Sequence, residues 1–121
     1  MTAPDHIPED VATTLGQELL KIHEHAYGRG AKTARVVSHG DAVIVFLDGL
    51  ELQRNEEFLI EHGRGEAVVQ TRALFQESIE ATFRAAVERA TGREVVSFVS
   101  MTKLDPTYCV EVFRLAPHGA D

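Results

Sequence analysis

The segment from Gly28 to Lys32 combines residue types that bind anions in proteins. Gly28 and Gly30 can adopt backbone conformations that turn successive N–H groups toward one point, and Arg29 and Lys32 add positive charge. Such a loop could hold a phosphate or a carboxylate. The same residues also suit the end of a helix, because glycine stops a helix and cations favour its C-terminus. The sequence favours the helix end, since a Walker-type loop precedes its helix instead of following it.

Other residues with chemical potential are scattered along the chain. His39 lies beside Asp41 in a predicted turn, and we include His39 among the candidate ligand-binding residues because such a pair could respond to pH. His23 and His25 are two positions apart and so point to different sides of a helix, which predicts no zinc site. Cys109 has no evident base beside it and is predicted to be a small buried residue. We therefore expect no metal, no cofactor and no enzymatic activity.

Composition limits the class of protein. The chain has 121 residues, of which 44% are hydrophobic and 26% charged, values typical of one globular domain. We expect residues 1–121 to form a single domain that is ordered from about 8 to 115. The net charge of -7 argues against a nucleic-acid partner. We expect a cytoplasmic protein without direct membrane insertion. The sequence has no signal peptide pattern, no apolar run near ~20 residues and only one cysteine.

Hydrophobic periodicity predicts seven elements. Helices are indicated at 8–27, 51–62 and 66–91, and strands at 33–38, 42–48, 95–101 and 108–115. The apolar stripe of the first helix comprises Val11, Leu15, Leu19, Ile22 and Ala26, and that of the third comprises Val68, Phe75, Ile79, Phe83, Ala86 and Val87. The order α-β-β-α-α-β-β predicts an α+β two-layer sandwich, in which helices cover one side of a mostly antiparallel four-stranded sheet. The strand at 42–48 is apolar almost throughout, which suggests burial on both faces. The helix at 66–91 would be about 40 Å long. This length exceeds what one small domain needs and suggests a homodimer.

Three stretches carry a resemblance to a known family: "G-R-G-A-K-T-A-R-V-V-S-H-G-D-A-V-I-V-F-L-D-G", "G-R-G-E-A-V-V-Q-T-R" and "T-G-R-E-V-V-S-F-V-S". With their helical spacers they resemble the MpsC-like family, a domain of unknown function named for a component of a Na⁺-translocating, membrane potential-generating system. The first motif departs from the family at Ala31, where proline is usual, and the segment after Gly49 also differs. The resemblance implies a small cytoplasmic protein that is accessory to sodium or inorganic-carbon transport, and it brings no catalytic residues.

Two hypotheses about function follow. The first is a homodimeric accessory or regulatory module that acts through protein–protein contacts, with a membrane transport system as its partner. The alternative is a sensor that binds a small anion, such as phosphate, a nucleotide or a carboxylate, at the Gly28–Lys32 loop.

Overall fold

The computed structural model describes residues 6–117 and confirms the predicted fold class. The elements are α1 (Glu9–Tyr27), β1 (Thr33–His39), β2 (Ala42–Asp48), α2 (Arg54–Glu61), α3 (Gly65–Thr91), β3 (Val95–Leu104) and β4 (Thr107–Leu115). The largest difference from the prediction at a helix end is in α2, which begins three residues later than expected. The reason is a capping box between Gln53 and Glu56, which fixes the start of this helix.

The two predicted hairpins lie side by side in one antiparallel sheet with the strand order β1-β2-β4-β3. On one face of this sheet, α1 packs on β1 and α3 packs on β3, while the two helices also contact each other. The seam between α1 and α3 therefore runs above the two central strands, β2 and β4.

The hydrophobic core fills the space between the sheet and the helices. Its fully buried members include Leu15, Leu19, Val43, Val45, Leu47, Phe83, Ala86, Val87 and Phe113. Leu15 and Leu19 belong to the apolar stripe predicted for α1, and Phe83 and Val87 belong to the one predicted for α3. Because these stripes meet the inner face of the sheet, they determine which side of each helix faces inward.

Burial of β2 is complete on its inner face only. Val43, Val45 and Leu47 point into the core and are inaccessible to solvent. Ile44 and Phe46 alternate with them and lie on the outer face of the sheet, where they stay partly exposed. The prediction that this strand is buried on both faces is therefore wrong for the single chain, because all the helices pack on the same side.

Glycines end both long helices in the left-handed conformation. Gly28 has φ 79° and donates its N–H to the carbonyl of Glu24, and Gly92 has φ 70° and donates to Glu88, each over 2.8 Å. The stop predicted at Gly28 is thus a helix C-cap.

We predict that Gly92→Ala lowers the free energy of unfolding by about 1 kcal/mol, because a Cβ raises the energy of the left-handed conformation. Apart from the adjacent residues of the chain, no atom lies within 4 Å of the added methyl group, so the loss reports the backbone conformation. Urea unfolding measures it. Gly92→Asn serves as the control and should lose less, since asparagine tolerates this conformation better. Equal losses for the two variants would contradict the explanation.

Candidate functional site

The loop from Gly28 to Lys32 is tied to the segment that follows β2. The carbonyl of Gly30 accepts a hydrogen bond from the N–H of Glu51 over 2.9 Å, and the N–H of Lys32 donates to the carbonyl of Asp48 over 2.8 Å. Gly30 itself is buried. The backbone of this loop is therefore part of the framework that joins α1 to the sheet.

The candidate ligand-binding residues are only partly brought together. The N–H groups of Gly28 and Lys32 already donate to protein carbonyls, and Arg29 donates through Nη1 to the carbonyl of Leu52 over 3.0 Å. His39 lies at the other end of β1, about 20 Å along the strand, so it does not join the loop in one site. Anion binding by the remaining groups stays a prediction.

A second group of candidate residues lies beside this loop, below the seam between α1 and α3. We call it the buried polar cluster; it comprises His23, Tyr27, Glu56, Arg72, Gln76, Ser100, Thr102, Cys109 and Glu111. Gln53 connects the cluster to the loop, because its side-chain amide donates to the carbonyl of Tyr27 over 2.6 Å.

Arg72 is the one cationic residue of the cluster, and it is buried, with 1% of its surface exposed. Its Nε and Nη2 donate to the two carboxylate oxygens of Glu56 over 2.7 and 3.0 Å. Its guanidinium carbon lies 4.5 Å from the centre of the Tyr27 ring, which adds a cation–π contact. Burial alone would raise the pKa of Glu56, but the hydrogen bonds from Arg72 and from the Gln53 backbone lower it.

Tyr27 joins α1 to α3 through its hydroxyl. This group donates to the carbonyl of Arg72 over 3.0 Å and accepts from the side-chain amide of Gln76 over 2.8 Å. Burial raises the pKa of Tyr27 above its ordinary value. The hydroxyl therefore keeps its proton at neutral pH and can act as both donor and acceptor.

His23 and Cys109 meet where α1 covers β4. The His23 Nε2 and the Cys109 Sγ are 3.8 Å apart, and the Thr102 hydroxyl lies 3.7 Å from the same sulfur. Burial, with a smaller effect of the positive charge on Arg72, lowers the pKa of His23 to about 4. Burial also raises the pKa of Cys109 to about 12. Both side chains are thus neutral at pH 7, and a protonated thiol is a weak nucleophile.

Sequence reasoning did not find Arg72 or Gln76, although the spacing contained a signal. The two residues follow Val68 at intervals of four and therefore continue the buried stripe of α3. The prediction placed Phe75 in that stripe, whereas 42% of its surface is exposed. Arginine is rarely buried, so the place of Arg72 in this spacing was not recognised as a sign of an interior residue.

Neither of two surface grooves on the helix layer includes a residue of the loop or the cluster. One groove, of about 490 Å³, runs along α3 and is rich in glutamates; the other, of about 360 Å³, lies where the start of α1 meets the end of α3. Within residues 6–117, no three histidine, cysteine or acidic side chains are placed to hold a metal ion.

The fold and the cluster define a class: a small α+β protein with a four-stranded sheet, one helix layer and a charged interior. The chain belongs to the MpsC family, since residues 8–117 match the family described as "Na+-translocating membrane potential-generating system (MpsC)". This match confirms the resemblance seen in the sequence. Neither the curated proteins nor the solved structures include a match to the chain. Of the helices formed by residues 6–117, none has the length and apolar character needed to span a membrane.

We predict that Glu56→Gln lowers the free energy of unfolding by about 3 kcal/mol, because it leaves the buried charge of Arg72 without a counter-charge. Glutamine still offers an oxygen to the Gln53 N–H, so the capping interaction is largely retained. Glu57→Gln is the matched control, since Glu57 is exposed on the same helix. Chemical denaturation compares the two variants, and a similar small effect of both would refute a structural role for the ion pair.

Proposed function

We propose that the protein is a non-enzymatic accessory or regulatory module of a Na⁺-translocating, membrane potential-generating system. Family membership suggests a role in such a system. In this proposal the module is cytoplasmic, forms a homodimer, and acts through protein–protein contacts. The outer face of the sheet is the observation that carries the proposal.

Two apolar rows cross this outer face, which we call the open face. The first row consists of Val37, Ile44, Val112 and Val99, and the second of Arg35, Phe46, Val110 and Met101, each read from β1 to β3. Val99 is 60% exposed and Met101 is 53% exposed. Arg35, the one charged member, lies with its guanidinium carbon 4.7 Å from the centre of the Phe46 ring. The long stem of this side chain thus extends the apolar surface.

An apolar outer face is unusual for an antiparallel sheet that has helices on one side only. Such sheets normally alternate between an apolar inner face and a polar outer face. A contiguous apolar surface of this kind marks a site of protein–protein contact. The open face therefore favours a second protein layer, packed on the sheet as in a β-sandwich.

The charges at the two ends of the open face favour a second copy of the same chain. Asp48 lies at one end of the central strands and Arg114 lies at the other. A two-fold axis that runs across the strands would stack the apolar rows of the two copies. It would also bring Asp48 of each copy to the end that carries Arg114 of its partner. Two-fold dimers with this self-complementary contact are the commonest protein oligomers.

We predict that the wild-type protein is a dimer in solution and that Val99→Glu combined with Met101→Glu makes it a monomer. The two added carboxylates would lose their hydration at the interface without gaining a partner. Light scattering coupled to size-exclusion chromatography measures the mass, and circular dichroism verifies that the variant remains folded.

Leu74→Glu is the matched control for this experiment. Leu74 is 64% exposed on α3, in the helix layer on the opposite side of the sheet, and its replacement should leave the dimer intact. A monomeric wild type would refute the homodimer. Dissociation by the control alone would place the contact on the helices and not on the open face.

The anion sensor remains a second candidate because of the unpaired charges of its loop. Arg29 and Lys32 are exposed, and neither forms an ion pair with any residue in the range 6–117. The backbone of the loop is held in place by its hydrogen bonds to the segment after β2. Two cations without a counter-charge on a fixed loop would suit a small phosphate or carboxylate, with Arg29 keeping its hydrogen bond to the Leu52 carbonyl.

We predict for this candidate that phosphate or citrate raises the melting temperature of the wild type by several degrees at 100 times its dissociation constant, where binding contributes ~2.7 kcal/mol. Arg29→Ala combined with Lys32→Ala should abolish the shift. Arg54→Ala, which removes an exposed cation from the start of α2, is the control. A shift that survives the loop substitutions would locate the anion elsewhere.

A further inference from the structure

Glu111 is a carboxylic acid placed in the middle of the protein. It lies on the inner face of β4, a central strand, and none of its surface is exposed. Neither of its carboxylate oxygens has a hydrogen-bond partner within residues 6–117. An ionised carboxylate in such a place loses its hydration and gains nothing in exchange, so the neutral acid is strongly favoured.

The charged and titratable groups around Glu111 offer it no free counter-charge. From α3, Arg72 is paired with Glu56 of α2 through Nε and Nη2, and its Nη1, which has no hydrogen-bond partner within residues 6–117, does not bond to Glu111. From α1, His23 is kept neutral by its low pKa. The groups that remain are neutral at pH 7: they are Tyr27 of α1, Cys109 of β4 itself, and Ser100 and Thr102 of β3. Its register neighbour on β2 is the apolar Val45.

Burial raises the pKa of Glu111 to about 8, and the hydroxyl of Ser100, its cross-strand neighbour, opposes this by a smaller amount although it forms no hydrogen bond to Glu111 in this structure. The carboxyl group is thus mostly protonated at neutral pH and loses its proton as the pH rises through about 8. Once ionised, it can recover hydration only if water reaches it. Because α1 and α3 cover the inner face of the sheet, an opening between these two helices would admit water, and the hydroxyl of Tyr27 now bridges them.

We propose that Glu111 is a buried proton-binding site that controls the closure of the seam between α1 and α3. With the proton bound, the cluster carries no net charge and the helices pack on the sheet. Loss of the proton favours states in which the seam is open to water. The observations that support this device are separate from those that support the proposed dimer, because Glu111 lies on the inner face of the sheet and the dimer contact lies on the outer face.

The pH dependence of stability has a definite sign. Glu111 has a higher pKa in the folded state than the ordinary 4.5, so its contribution is complete below pH 4.5 and is lost as the pH rises through 8. The lowered pKa of His23 acts in the opposite direction between pH 4 and 6.5. The two effects oppose each other below pH 6.5, and Glu111 dominates from there to about pH 8.5.

We expect the unfolding equilibrium constant of the wild type to rise about tenfold between pH 6.5 and 8.5, as linkage requires for one proton lost over this range. Glu111→Gln imitates the protonated acid and should show no rise. Glu77→Gln, which alters an exposed glutamate of α3, is the control and should behave as the wild type. Urea unfolding at the two pH values gives the constants. A wild type without the rise, or a Glu111→Gln variant that retains it, would overturn the proposal.

Opening of the seam can be followed separately through Cys109, which is fully buried below it. At pH 8.5 a thiol reagent should label Cys109 about tenfold faster in the wild type than in Glu111→Gln, in proportion to the linked opening equilibrium. Equal rates would show that ionisation does not open the seam and would overturn the proposal.

Two further measurements test whether Glu111 is the group that binds the proton and whether it binds Na⁺ instead. The carboxyl carbon resonance of Glu111 in the wild type should titrate near pH 8, even if the glutamine variant does not fold; a midpoint near 4.5 would overturn the proposal. Replacing NaCl by choline chloride at pH 8.5 should change neither stability nor labelling. Stabilisation by Na⁺ that disappears in Glu111→Gln would instead identify a cation site and would exclude a site for protons alone.

Discussion

The arrangement of the helix layer depends on the neutralisation of one buried charge, the guanidinium of Arg72. A cation that is almost completely buried needs a counter-charge beside it, because it has lost its hydration. Glu56 of α2 supplies the counter-charge and the ring of Tyr27 of α1 covers one side of the cation. One side chain of α3 therefore holds all three helices. Gln53 extends this dependence, because it both caps the helix that carries Glu56 and binds the carbonyl of Tyr27. The ion pair thus also supports the position where the Gly28–Lys32 loop begins.

Strand β4 departs from the usual distribution of polarity near its middle. On β4, Cys109 and Glu111 point inward, while Val110 and Val112 lie on the outer face. An acidic residue inside and valines outside both cost free energy in an isolated monomer. Local departures from the ordinary pattern of this kind are typical of functional sites. On β4 the two departures lie on opposite faces, with Glu111 on the inner face and the valines on the outer face.

This shared strand relates the proposed dimer to the proposed proton site. Glu111 lies between Val110 and Val112 in the chain, and its backbone is fixed by pairing with β2 on one side and β3 on the other. A displacement of β4 would be transmitted to both faces of the sheet, because the strands move with their hydrogen-bonded neighbours.

The elements and their order were determined by the sequence itself, because the 3.6-residue and two-residue periods of apolar side chains are local properties. Glycine likewise marked the ends of α1 and α3 without tertiary information. Tertiary structure alone decided that β2 and β4 are neighbours, since local patterns contain no strand order. It also decided that Glu111 faces the core. Both alternating sets of β4 are mainly apolar, so the pattern could not distinguish them. Arg72 became an interior residue only because Glu56, distant in sequence, meets it there.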